Sequence, residues 1–175
     1  MTITPDGKDW TWVLERRCAE CGFDAASFDA TRIGDTLRAN AAHWHDLLLS
    51  LDASVRTRGD RWSTLEYACH VRDASRIYAR RLERMLTEDG PHYANWDQDE
   101  TAITDRYGEQ SADRVADELV LTADQLATRF EAVHGDQWQR TGFRSDGAAF
   151  TVESFARYFI HDPIHHIWDV TQSGS

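Results

Sequence analysis

Three histidines carry the first chemical signal in this chain: His70 by itself, then His161 and His165 four positions apart. Four residues is slightly more than one helical turn, so the pair leaves one face of a helix and can grip a single metal ion. A third imidazole from another helix completes a three-nitrogen set and leaves coordination positions open for water or substrate. Open sets of this kind do chemistry more often than they support a fold. Spacing alone is weak evidence in a chain with 8 His among 175 residues. The setting of each ring has to decide.

On a helical projection His161 and His165 share an arc with Ser154, Tyr158 and Trp168, while Val152, Phe155, Phe159 and Val170 take the opposite side. Both arcs are apolar or aromatic, which predicts a helix buried deep in its bundle. His70 shares a stripe with Tyr67, Ala74 and Ile77, again an inward face. The three rings therefore point from two helices toward the interior, where helical bundles build their metal sites. For any one ring the competing reading is a hydrogen bond to a carbonyl or carboxylate.

Other groups carry less. Asp162 and His166 are also four apart on a neighbouring face, suited to a helix-surface hydrogen bond or to support behind a ligand. Asp73, one turn beyond His70, is better read as the partner of a nearby arginine. His43 and His45 flank Trp44, diverge, and read as surface residues. Pro163 removes one backbone hydrogen bond and is expected to shape packing. Cys18 and Cys21 form a C-x-x-C, read first as reduced structural cysteines of an N-terminal arm, with half a zinc site or a redox pair as alternatives. Cys69 precedes His70 and points away from it.

Four amphipathic stretches must position these groups. The first runs from about Phe28 to Leu51, with Ile33, Leu37, Ala41, Trp44 and Leu48 at helical spacing. The second opens on Ser63-Thr64-Leu65-Glu66, a capping box flanked by a Trp62–Tyr67 staple, and runs to about Leu86. The third spans Ser111 to about Val133, and the fourth about Thr151 to Val170. Residues 88–110 form a long acidic loop carrying Trp96 and Asp97, and Arg144-Ser145-Asp146-Gly147 is a turn able to close a small hairpin. The predicted fold is all-α: a four-helix bundle with an N-terminal arm, one domain over residues 1–175.

Composition bounds the function. A net charge of −11 leaves no basic patch to track phosphates, which disfavours nucleic acid. No apolar run reaches membrane-spanning length, and the polar start MTITPDGKDW lacks a signal-peptide core, so a cytoplasmic protein is expected. The odd count of 3 Cys fits a reducing compartment.

One His early in the second helix and H-x-x-x-H in the fourth resemble the DinB-like metalloprotein superfamily, in particular an actinobacterial subgroup. The matching pieces are Trp10–Asp24 in part, WSTLEYACHVRD (Trp62–Asp73), NWDQD (Asn95–Asp99) and FIHDPIHHIWDV (Phe159–Val170). Thr64 and Ala19 stand where that subgroup commonly has proline. The resemblance implies His70, His161 and His165 as ligands of zinc, nickel or another divalent ion, and a homodimer. It also brings kinship with the mycothiol-dependent maleylpyruvate isomerase domain and with S-transferases that use mycothiol or bacillithiol. The activity so implied is metal-dependent transfer of a low-molecular-weight thiol to a small electrophile, with Tyr67, Tyr158 and Trp168 as wall and the Trp96 loop as cover. Hydrolysis by activated water, and a non-catalytic metal-binding or dimeric stress-response bundle, are the alternatives.

Overall fold

In a computed structural model, residue 3 and residues 9–50 and 52–172 are described. Lys8 and Leu51, the latter the expected end of the first helix, lie outside them. Short 3-10 turns at Trp10–Leu14 and Ala30–Arg32 belong to an N-terminal arm that leads into α1 (Ile33–Leu48). Then come α2 (Thr64–Thr87), α3 (Gln98–Thr104), α4 (Ala112–Glu131) and α5 (Val152–Gln172). The four long helices form the expected bundle, α4 packing against α1 and α2, and α5 against the same two.

The sharpest start is that of α2. Ser63 Oγ accepts from Glu66 N at 3.2 Å, and Glu66 Oε2 accepts from Ser63 N at 2.8 Å. The box satisfies two otherwise orphaned donors, and the Trp62 and Tyr67 rings meet beside it at 5.4 Å. Ser111 caps α4 singly, its Oγ accepting from Arg114 N without a reciprocal bond. The apolar stripes then close the core: Ile33, Leu82, Leu126, Phe155 and Phe159 on one side, Trp44, Leu48, Leu65 and Leu119 on the other, all buried.

Two features extend the all-α expectation. The turn at residues 144–147, with Gly147 at φ +96°, closes a hairpin of β2 (Thr141–Arg144) and β3 (Ala149–Thr151). A two-residue strand, β1 (His92–Tyr93), adds to β2 in parallel. The long loop is also not bare, since α3 forms inside it behind the Asp97 cap. Helix α5 runs unbroken through Pro163, whose carbonyl accepts from Asn40 Nδ2 of α1 at 3.1 Å. Proline here shapes packing.

Candidate metal centre

Helix α5 carries two i, i+4 pairs one residue out of phase, 161/165 and 162/166. They leave the helix roughly 100° apart, so they meet different neighbours. Asp162 and His166 face α2. There His70 Nε2 lies 3.4 and 3.3 Å from the two Asp162 oxygens, and His166 Nε2 lies 3.4 Å from Asp162 Oδ1. One donor atom from each of His70, Asp162 and His166 falls within 4.8 Å of the others. Asp162 Oδ2 is buried without a hydrogen bond, its approach to His70 being misaligned. A carboxylate set between two imidazole edges, with one oxygen buried and unbonded, suits a divalent cation: the set of three donors fits an open site. Behind it, His166 Nδ1 donates to Asp169 Oδ2 at 2.9 Å. Carboxylates placed so fix the ring and raise its basicity as a ligand.

His161 and His165 face the arm. Their ligand atoms cluster within 4.8 Å with those of Cys18 and Cys21. The arm reaches them because residues 18–23 form a tight turn: Cys18 N donates to Phe23 O at 2.8 Å, and Gly22 N to Cys18 O at 3.0 Å. Gly22 has φ +77°, a conformation costly for other residues. The three histidines singled out by the sequence are thus divided: His70 joins Asp162 and His166, while His161 and His165 join the two cysteines.

Protonation follows the same division. Burial pushes the His161 ring down to about 4, with the neighbouring His165 adding to it, and burial lowers His165 as well. Burial works against the His166 cation too, yet Asp162 and Asp169 outweigh it and lift the ring to about 10. Burial would raise the Asp162 carboxyl, but His70 and His166 hold it well below the usual range. Burial also pushes the Cys21 thiol up to about 11, which makes it a poor redox nucleophile. A cation taking His166 Nε2 must displace its proton. In imidazole 1H–15N spectra at pH 7, His166 is expected to be charged in the ion-free chain and neutral once a divalent ion is added. A ring already neutral before the addition contradicts this pairing.

The histidines of both groups and Asp162 line one cavity of about 480 Å³, within the size range of small-molecule sites. Its lining includes Trp10, Arg81, Trp96, Asp97, Arg144 and Tyr158. Trp96 stacks on His70 with ring centroids 5.2 Å apart and planes at 6°, so the expected covering loop does lie over this ring. Arg81 ties that loop down, donating to Ala94 O at 2.8 Å. Tyr158 is in the wall; Tyr67 instead packs on His166 at 4.8 Å and Trp168 on His165 at 5.6 Å. Asp73 turns away to Arg72 and Arg76, and His43 is exposed.

Sequence reasoning gave Asp162 and His166 only a supporting part. The available signal was the second i, i+4 pair on the same helix, and for the cysteines the H-x-x-x-H spacing that complements C-x-x-C.

A model of the DinB superfamily matches residues 36–170. No curated protein matches the chain. Among solved structures, YfiT from Bacillus subtilis, described as a probable metal-dependent hydrolase with an unusual four-helix bundle topology, aligns with a TM-score of 0.73. The alignment covers 83% of each chain at 14% identity, a likeness of fold. Among the described residues no helix is long and apolar enough to cross a membrane.

Proposed function

The chain belongs to the DinB superfamily, and from that premise we propose that it is a metal-dependent transferase for a low-molecular-weight thiol of the mycothiol kind. The observation that supports this reading is the convergence of His70, Asp162 and His166 at the cavity, with Asp169 behind His166. The ligand part of the sequence reading is thereby recast, with His70 serving this site and His161 and His165 another. A divalent ion, zinc or nickel, would supply acidification of a bound thiol or water near neutral pH.

The chain's own residues do the rest. Trp10 and Trp96 wall off water on two sides of the cavity. Arg144 donates to the Tyr158 hydroxyl at 3.1 Å and pairs with Asp146 at 2.8 Å, which holds its guanidinium in the wall. Since Tyr158 oxygen accepts that bond, its own proton is left to donate elsewhere. Burial raises its pKa, so it stays a neutral donor. A phenol so placed can bind an oxygen of the electrophile as charge develops there. Five aspartates line the cavity beside Arg81 and Arg144, and Arg144 is paired with Asp146, so the wall suits a neutral or cationic reactant held close to the thiol.

A second reading, hydrolysis, is favoured by Asp97 and Asp99 in the lining, carboxylates able to serve as base toward a water. One assay separates the two. Chain purified without a nickel column, then loaded with zinc or nickel, is expected to conjugate monochlorobimane with mycothiol, bacillithiol or another common thiol. Conjugation should stop on chelation. Failure of every thiol with ion-loaded chain removes the transferase, and thiol-independent cleavage of amide or ester substrates puts hydrolysis in its place.

A further inference from the structure

We propose that Cys18, Cys21, His161 and His165 form a second, closed metal site that takes one zinc ion and clamps the N-terminal arm onto α5. The four donors sit within 4.8 Å of one another although Cys18 and His165 are 147 positions apart. They come as C-x2-C and H-x3-H, the spacing and ligand set of structural zinc. Two soft sulfurs with two imidazoles in a tetrahedral set select zinc over the oxygen-loving divalent ions.

Three further details point to a ligand. His161 is 3% exposed, and its Nε2 is buried with no hydrogen-bond partner. Native interiors rarely leave such an atom unsatisfied. His165 is divided between two duties: its Nδ1 lies 3.7 Å from Cys18 Sγ, while its Nε2 faces Glu20 at 3.5 Å and Asp169 at 3.9 Å. That is how a metal-bound imidazole is oriented, one nitrogen on the ion and the other toward a carboxylate. Lastly, the turn that presents the cysteines is tied by hydrogen bonds on both sides, Cys18 N to Phe23 O and Gly22 N to Cys18 O. Gly22 adopts its positive φ directly after Cys21, and Arg17 Nε donates to Gly22 O at 2.9 Å.

The charge also balances. Zinc binding releases the two thiol protons to solvent, and the resulting dication, two thiolates and two neutral imidazoles sum to zero. A neutral cluster can be buried where a bare cation cannot. Four protein donors leave no position for substrate, so the role is structural, in contrast to the three-donor group beside it. The cysteines lie outside residues 36–170, the part that matches the superfamily, and reach α5 on the arm. The clamp's effect reaches the cavity through Trp10, whose ring lies 5.5 Å from His161 and 4.9 Å from His165 and which lines the opening.

The test uses the full chain, isolated under reducing conditions without added metal. Zinc-edge X-ray absorption is expected to show sulfur neighbours at about 2.3 Å. With cobalt in place of zinc, thiolate-to-cobalt charge-transfer bands should appear, fall by about half or more in Cys21→Ser as one of two thiolates is lost, vanish when Cys18→Ser is added, and persist in His70→Ala. Chelation should speed amide exchange across residues 9–32 while α4 stays protected. Zinc bound by nitrogen and oxygen alone, a Cys18–Cys21 disulfide in the isolated chain, or cobalt bands untouched by Cys21→Ser would each overturn the proposal. Because the absorption experiment reads the unaltered chain, a variant that does not fold cannot shelter it. The persistence of the bands in His70→Ala keeps this outcome separate from the fate of the proposed transferase.

Discussion

Replacing His70 with alanine is expected to strip the ion from the three-donor site and to lower turnover by at least about 100-fold. The bound follows from an ordinary observation on metal sites: loss of a partner that only orients a ligand already costs about 10–100-fold in affinity or activity. His70 is itself a donor, 2% exposed, with Nε2 3.3 Å from Asp162 Oδ2. Without it the remaining donors, Asp162 and His166, both come from one helical turn of α5 and leave α2 uncoupled from the ion. Elemental analysis after dialysis against a weak chelator reads the ion, and the monochlorobimane assay reads turnover. Circular dichroism checks that α2 survives, since the smaller side chain leaves a gap beneath Trp62 and Trp96, which both pack on the ring. An alanine variant that keeps its full divalent content, beyond any zinc on the cysteines, takes His70 out of the site.

Asp73→Ala should produce the largest loss of stability, about 3–5 kcal/mol, the range for breaking one member of a buried ion pair. Asp73 takes two hydrogen bonds from Arg72, at 3.0 and 2.9 Å, another from Arg76 at 2.8 Å, and the hydroxyl of buried Tyr107 at 2.8 Å. Arg72 is 3% exposed, so the truncation strands a buried guanidinium. Glu118 and Gln110 remain on Arg72 and hold the cost toward the low end. For a chain of this size each kcal/mol lowers Tm by about 2–4 °C, so a calorimetric fall of roughly 6–12 °C marks the low end. A fall of under a degree would mean the network contributes nothing. The sign of the pH dependence follows from the same contacts. Burial would raise the Asp73 carboxyl, but Arg72 first, then Tyr107 and Arg76, hold it below its ordinary 3.8. Its contribution is complete above that value. As pH falls below it, the unfolded chain takes up a proton that the folded one refuses, and stability declines.

These two sites differ in how far the sequence anticipated them. Asp73 reads as an arginine partner from its neighbours alone, and that is where it lies. The start of α2 was equally legible, because a capping box is a local device whose partners sit within one turn. So were the four long helices, whose apolar stripes repeat often enough to set a period, and the hairpin turn with its glycine. The seven-residue α3 is too short to show a period, and β1 exists only through its pairing with β2. The donors of the two metal groups are a subtler case. Helix α5 is apolar or aromatic on nearly every side, so its sequence does not say which arc meets α2 and which meets the arm.

From the order of residues alone come the bundle, the superfamily, and histidines of α2 and α5 as candidate metal donors. The helices and the donors follow from short-range periodicity and from side-chain chemistry that is the same in any context; the superfamily follows from the resemblance of the quoted segments. The rotation of α5 about its axis, and with it the division of donors into His70–Asp162–His166 and Cys18–Cys21–His161–His165, was decided only by packing. A turn of roughly 100° exchanges one i, i+4 pair for the other. Which rotation holds depends on contacts between segments far apart in the chain, and no local pattern encodes those.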